Sequence, residues 1–266
     1  AMPDVFMYIH AKERKLKSIA ARKRCLYAPV SVIRRNLKGI IDTIKKSNHN
    51  GIVIDMKDDW GNLYFPTKNK IAIDIRSRRR PLDVKYVLKI LKKQGIYTVA
   101  RIVVFKDKRM FLGYGMKHAI RNWRTGGAWR GSKREYWVDP HSDVVQRYNI
   151  QIAKELEHLG FDEVQFDYIR FPSDGPIYLC SFAHKKKKDM YKSEILADFL
   201  NRAKQSLKIP ISVDIYGFNS WYHFSNWIGQ DMEEFSFIVD VICPMVYPSH
   251  FGSRWFMKGK RFLRPY

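Results

Sequence analysis

The segment GFDEVQFDYIRFP, residues 160–172, holds the side chain best placed to do chemistry. Read as a strand with side chains alternating between faces, it puts Gln165 and Asp167 on one face. Asp167 then falls at the carboxyl end, flanked by Tyr168 and Arg170. A carboxylate embedded in an apolar strand must overcome the cost of desolvation, so function outweighs loop-bridging or helix capping as its reason to be there. Asp162 and Glu163 precede the strand and suit its closed end, where they serve structure. Three other strand ends supply partners. One runs into Asp55, Lys57, Asp58 and Asp59 ahead of Trp60; another, SVDIYG, alternates Ser212, Asp214 and Tyr216 onto one face; a third ends in Met245, Tyr247, Ser249 and His250. Arg101 stands too early in its strand to be solvated, and pairing with a buried carboxylate or holding a substrate explains it equally well. Two carboxylates facing each other suffice for glycoside hydrolysis. One protonates the leaving oxygen while the other attacks the anomeric carbon or activates water. Asp167 and Asp214 are the first such pair, with Asp58 in reserve. The same aspartates invite a magnesium ion, but no ligand spacing points to one, and neither a metal nor a cofactor is expected.

The elements that must position these residues alternate along the chain. Ile33, Leu37, Ile40, Ile41 and Ile44 form a helical stripe before the apolar strand at Ile52–Ile54. Pro81 and Asp83 open a helix faced by Val84, Val87, Leu88 and Leu91, and Gly95 closes it before a strand from Ile96 to Phe105. Val145, Tyr148, Ile152, Leu156 and Leu159 mark a third helix, stopped by Gly160. Ile195, Phe199 and Ala203 mark a fourth, followed by strands at Ile211–Tyr216 and Val241–Val246 with a short helix between them. Strands that read as continuous apolar runs between helices imply a parallel sheet covered on both faces. A doubly wound sheet and a (β/α)8 barrel both satisfy that pattern. No phosphate-cradling glycine turn follows a strand, since Gly126-Gly127 lies in a loop, whereas polar residues gather at strand ends as in barrel enzymes. The expected fold is therefore α/β, a (β/α)8 TIM-type barrel. About six strand–helix units are visible of the eight a barrel needs, and the stop at Tyr266 points to a barrel incomplete at its C-terminus. Residues 1–24 form a basic segment ahead of a barrel domain over residues 25–266.

The chain of 266 residues carries 49 Lys and Arg against 26 Asp and Glu, a net charge of +23 that attracts polyanions. The basic runs are scattered: Lys12 to Arg24, Arg76 to Arg80, Arg121 to Arg134, Lys185 to Lys188 and Lys258 to Arg264. Scatter fits compositional bias better than a footprint, so nucleic acid is a weaker partner than carbohydrate. The connection from Lys106 to Ser142 interleaves Trp123, Trp129, Tyr136 and Trp137 with arginines, which suits stacking on sugars or bases as well as folding onto the rim. Trp221 and His223 follow the Ile211–Tyr216 strand closely enough to reach the mouth. Hydrophobic residues make up 45% of the chain, which excludes disorder, and no apolar run approaches the ~20 residues of a membrane span. No export signal is visible, and the opening Ala1-Met2 reads as a scar. Cys25, Cys180 and Cys243 are odd in number and far apart, hence neither a disulfide framework nor a zinc set. The oligomeric state is not written in these residues.

Four blocks, VIDMKDDWGNLYFP, IYTVARIVVFKD, WVDPHSDVVQRYNIQIAKELEHLGFDEVQFDYIRFPSDG and VDVICPMVYPSHF, resemble the bacterial "putative glycosyl hydrolase domain" family, in order from about Tyr27 to about Phe251. That family is similar to the amylase-like barrels, and the resemblance implies a (β/α)8 fold and carbohydrate hydrolysis, with an exported or envelope setting common among members. In the amylase-like group the strand-four aspartate is the nucleophile, the position of Asp167. The strand-five acid of that group is usually glutamate; Asp214 stands nearest, on a shorter side chain. The expected substrate is a polysaccharide or envelope glycan, with Asp55, Asp58, Trp60, Arg101, Tyr168, Arg170, Tyr216, Tyr247 and His250 lining its site. A glycan-binding barrel without catalysis and a polyanion-binding protein are the alternatives.

Overall fold

The computed structural model describes residues 18–185, 190–220 and 227–247, with the backbone alone at 256–257 and 260–261. Six strands form one sheet: β1 (Cys25–Ala28), β2 (Gly51–Lys57), β3 (Tyr97–Val103), β4 (Glu163–Asp167), β5 (Ile211–Tyr216) and β6 (Val241–Met245). They pair in chain order and all in parallel, a curled half-barrel. Each neighbouring pair is joined through a helix or a helix-bearing connection. The principal helices are α1 (Val30–Lys46), α2 (Val84–Lys93), α3 (Asp143–Leu159), α4 (Lys192–Ser206) and α5 (Met232–Ser236).

Local chemistry sets the ends of these helices. Asp83, Ser142 and Asp231 accept backbone N–H bonds from Tyr86, Val145 and Glu234 and so cap α2, α3 and α5. Gly160 ends α3 in the left-handed conformation, at φ 104°, where a side chain would be strained. The apolar stripes predicted for α1 and α2 are the buried ones: Ile33, Ile40, Ile41 and Ile44 in the first, Val84, Val87, Leu88 and Leu91 in the second. They pack on the convex face of the sheet together with Ile52, Ile54, Met56, Ile102, Phe166 and Val213.

The concave face is built differently. Ala20, Tyr97 and Val99, with Cys25 and Val53 against them, make a separate small core there. Beside it Glu163 is fully buried. Its carboxylate is satisfied by Lys23 Nζ at 3.0 Å, the Tyr97 hydroxyl at 3.1 Å and the Ser212 hydroxyl at 2.5 Å. Asp162, one residue earlier, takes the Thr98 N–H and hydroxyl at the closed end of the sheet. Burial pushes the neighbouring thiols up, Cys25 to about 12 and Cys243 to about 11, so both stay neutral and pack as small apolar groups.

A register shift between Asp55 and Lys57 breaks the alternation of β2. It is the kind of bulge that re-aims a side chain next to a site. Asp55 faces Arg101 in the neighbouring strand, whereas Lys57 is buried with its ammonium 2.8 Å from Asp107 and 2.6 Å from the Val103 carbonyl, over the Tyr148 ring of α3. Both members of the Lys57–Asp107 pair are shut away from solvent. Lys57→Met leaves Asp107 buried without its counter-charge and should cost about 3–5 kcal/mol. Adding Asp107→Asn, which can still cap the helix that begins at Lys108, should recover at least half of that loss, as measured by urea denaturation of the two variants.

Candidate active site

Arg101 organises the carboxyl end of the sheet. Its Nη1 donates to Asp55 Oδ1 at 2.6 Å, its Nε donates to Asp167 Oδ2 at 3.1 Å, and its Nη2 donates to that same oxygen. Asp214 Oδ2 lies 3.9 Å from Nε. Three aspartates from β2, β4 and β5 thus converge on one guanidinium from β3. The sequence suits Arg101 equally to counter-charge and to substrate ligand; it is paired with Asp55 and Asp167 and approaches Asp214, and its side chain retains 18% exposure. The sum of the two Nε distances caps the separation of the Asp167 and Asp214 Oδ2 atoms. That cap is below the upper end of the spacing found for glycosidase acid pairs, about 5–5.5 Å in retaining enzymes and 6.5–9.5 Å in inverting ones.

The backbone after Asp167 is held in an uncommon state. Tyr168 has φ 52°, in the left-handed region that bulky residues avoid. Its N–H donates to Asp167 Oδ1 at 2.6 Å, and the carbonyls of Asp167 and Tyr168 accept from Val104 and Phe105. The kink turns the chain from the strand into the rim while one oxygen of Asp167 is fixed by the next peptide. Gln230 performs a similar task for β5. Its amide bridges the carbonyls of Ile169 and Asp214 and accepts the Tyr216 N–H.

The acids are electrostatically unequal. Burial, and then the charge of Asp167, hold Asp214 well above the usual carboxylate range, against the opposing pull of Arg101. Asp55 accepts the hydroxyl of Tyr27, whose ionisation is raised first by burial and then by that bond. Tyr247 is half exposed, and its phenol is raised by burial and then by the charges of Asp214 and Asp167.

The rim is aromatic and cationic. Arg170 is buried, lying over the rings of Trp137, Tyr168 and Tyr216 at 4.7, 5.1 and 5.2 Å and donating to Ser173. Trp60 is 52% exposed and meets Tyr136 at a tilt. Asp58 spends both oxygens inside its own loop, accepting from the Trp60 and Asn62 N–H groups, the Asn62 amide and the Tyr64 hydroxyl; it holds the loop that presents Trp60. Of the tryptophans in the long β3–α3 connection, Trp129 and Trp137 fold into the core and Trp123 stays exposed. His250, Ser249, Trp221 and His223 lie outside the described residues. Tyr27, Lys106 and Gln230 are site residues that sequence reasoning did not single out. Neither Tyr27 nor Gln230 carries a signal along the chain, since each acts on groups that only the fold brings beside it. Among the described residues no cluster of three His, Cys, Asp or Glu is arranged to hold a metal.

A parallel half-barrel with acids gathered at its strand ends is the arrangement of a glycoside hydrolase-like domain. The chain belongs to the family described as "Putative glycosyl hydrolase domain", whose profile matches residues 25–266. Among solved structures it is similar to a hypothetical protein from Ruminiclostridium thermocellum, at 31% identity and TM-score 0.64 over 71% of this chain and 96% of that one. It is also similar to the PgaB (BpsB) glycoside hydrolase domain from Bordetella bronchiseptica, at 16% identity and TM-score 0.65, covering 85% of this chain and 74% of that one. A third likeness is to the α-galactosidase of Thermus thermophilus, at 12% identity and TM-score 0.51, over 88% of this chain and 46% of that one. The last two are likenesses of fold. No match was found among curated proteins.

The state of Asp214 has a consequence for stability. The folded chain keeps this proton to higher pH than the unfolded chain does, so above the ordinary aspartate range the unfolded state binds fewer protons. Stability should therefore fall as pH rises from about 4, by up to about 1.4 kcal/mol per pH unit, until Asp214 itself ionises. Asp214→Asn removes the titrating group. Thermal melts from about pH 4 to about pH 8 should show a flatter profile for the variant and a higher Tm than the parent at the alkaline end.

Proposed function

We propose that this domain, residues 25–266, is a glycoside hydrolase acting on a polysaccharide or cell-envelope glycan, and that its six strands are those of an incomplete (β/α)8-type barrel. The observation that carries the reading is Asp214, a buried carboxyl held well above the usual carboxylate range, on the strand next to Asp167 with Arg101 approaching both. A carboxyl held above its usual range beside a second carboxylate is suited to act as the acid of a pair. Asp214 is suited to protonate the leaving glycosidic oxygen. Asp167 is suited to attack the anomeric carbon or to stabilise the positive charge that develops on the sugar ring. Arg101 orients Asp167 and holds Asp55, while Tyr27 closes the far side of Asp55. Trp60, Tyr168, Tyr216 and Tyr247 offer ring faces and hydroxyls to the sugar, and Arg170 fixes two of those rings from below.

A second reading rests on the same guanidinium. Arg101 binds Asp167 twice and approaches Asp214, and a mouth whose acids are all compensated could hold glycan without cleaving it. Asp214 nevertheless senses Asp167 as its strongest neighbouring charge, so the two acids share one space and catalysis is the better supported reading. Reducing-end release from a mixed glycan panel separates the two. The parent should release sugar and Asp167→Asn should abolish release. Asp214→Asn should lower kcat by about 10²–10⁴-fold and erase the alkaline limb of the pH profile. Glycan binding by the parent with no release from any substrate would leave the binding-module reading.

A further inference from the structure

Topology assigns an end of the sheet to basic residues that look scattered along the chain. Every strand-to-helix connection of a parallel sheet leaves from the carboxyl ends, and every helix-to-strand connection returns at the opposite end. The 104–142 connection carries nine Lys or Arg against three Asp or Glu, and the 58–83 connection six against four. The five return connections, 47–50, 94–96, 160–162, 207–210 and 237–240, hold between them one lysine, Lys208, and two aspartates, Asp162 and Asp240. Arg22, Lys23 and Arg24 also stand at the return end, but Lys23 is paired with Glu163 and Arg24 is bonded to Asn48. Lys45, Lys46, Lys92 and Lys93 in the last turns of α1 and α2 also lie toward the return end, so the molecule is basic at both ends. The connections around Asp167 and Asp214 carry a surplus of their own, a source of electrostatic steering toward that mouth.

The surplus has a focus. A cleft between the β2 and β3 loops is walled by Trp60 and Tyr136 and floored by Lys106. Lys106 is occupied: it bonds Asp59 at 3.1 Å and Glu135 at 2.7 Å, which leaves those two acids compensated, and it lies over the ring of Tyr168 next to Asp167. The remaining cations of the cleft form no ion pair among the described residues. Lys108 sits over both Trp60 and Tyr136. Lys133 and Arg134 line the same cleft, are exposed, and form no ion pair among the described residues. Arg130 stacks 3.8 Å from the Tyr136 ring and donates to the carbonyls of Arg134 and Glu135, so the turn that presents Lys133 and Arg134 is tied down from behind. An exposed indole with Lys108 over its ring, two exposed cations beside it and its acids already neutralised is built for a ring that carries negative charge.

We infer that the substrate is an anionic glycan, one sugar ring stacking on Trp60 while its acid group is held by Lys108, Lys133 and Arg134. The inference rests on the glycan-active reading of this mouth and names the substrate class. Carboxylate and phosphate groups share the required chemistry. The test measures binding of oligogalacturonate, phosphomannan, a neutral glucan oligomer and a single-stranded oligodeoxynucleotide to the parent, to Asp167→Asn, to Lys133→Gln/Arg134→Gln and to Trp60→Ala. At least one acidic glycan should bind about tenfold or more tightly than the neutral one at low salt, and the preference should shrink as salt rises. The better of the two acidic ligands identifies the anion. The double variant should cut the acidic preference by about tenfold, and Trp60→Ala should weaken every sugar. Equal affinity for acidic and neutral glycans overturns the inference. So does an oligonucleotide bound more tightly than either acidic glycan with the same dependence on Lys133 and Arg134. Acidic glycan bound by both the parent and Asp167→Asn but cleaved by neither keeps this inference and removes the hydrolase reading. Asp167-dependent cleavage of neutral glycan with no acidic preference does the reverse.

Discussion

One guanidinium sets the terms for the carboxyl end of this sheet. Asp55, Asp167 and Asp214 come from three different strands, and each points into space lined by buried backbone and side chains. Three acids that close, in a medium less polar than water, repel one another, and a cation among them lowers that cost. Arg101 fits because its fork is planar and presents donors on two edges: Nη1 serves Asp55 while Nε and Nη2 serve Asp167. A lysine would offer a point charge and could not hold both neighbours in fixed directions. Asp214 receives only the 3.9 Å approach to Nε, which does not offset the burial and the neighbouring Asp167 charge that hold it well above the usual carboxylate range.

The same rule governs the other charges buried in the fold. Glu163 is matched by Lys23, Tyr97 and Ser212 on the concave face, and Lys57 by Asp107 and a carbonyl on the other side of β2. The half-barrel therefore has a polar lower storey around Glu163 and a polar upper storey around Arg101, with Cys25, Val53 and Val99 among the apolar groups packed near them. The bulge in β2 keeps the systems apart: Asp55 joins the upper storey, and two residues later Lys57 leaves it. The left-handed backbone at Tyr168 belongs to this economy as well, since it ends β4 at Asp167 and sends the chain across the mouth.

Much of this was legible beforehand. Apolar stripes at helical spacing located α1 to α4 because an amphipathic helix must bury one face whatever its neighbours are. Continuous apolar runs located the strands for the complementary reason, that both their faces are covered. Asp167 and Asp214 stood out because an acid inside an apolar strand demands an explanation. Tyr27 was not legible: its hydroxyl matters only because β1 lies beside β2 with the phenol next to Asp55, and no spacing along the chain reports that neighbour. Composition could not sort the tryptophans of the 104–142 connection either. Trp129 and Trp137 fill the core while Trp123 does not, a division made by which way each stretch of loop turns.

The sequence by itself determined the order of strands and helices, the parallel sense of the sheet and the short set of acids that stand at strand ends, because these follow from periodicity and from the local cost of burying charge. Tertiary structure alone decided which acids share a cation, which one is buried most unfavourably for its charge and which cations surround the exposed indole of Trp60. The reason is physical: electrostatic energy depends on distance through space. Asp55, Arg101, Asp167 and Asp214 are tens of residues apart along the chain, and only the parallel register of four neighbouring strands makes them one site.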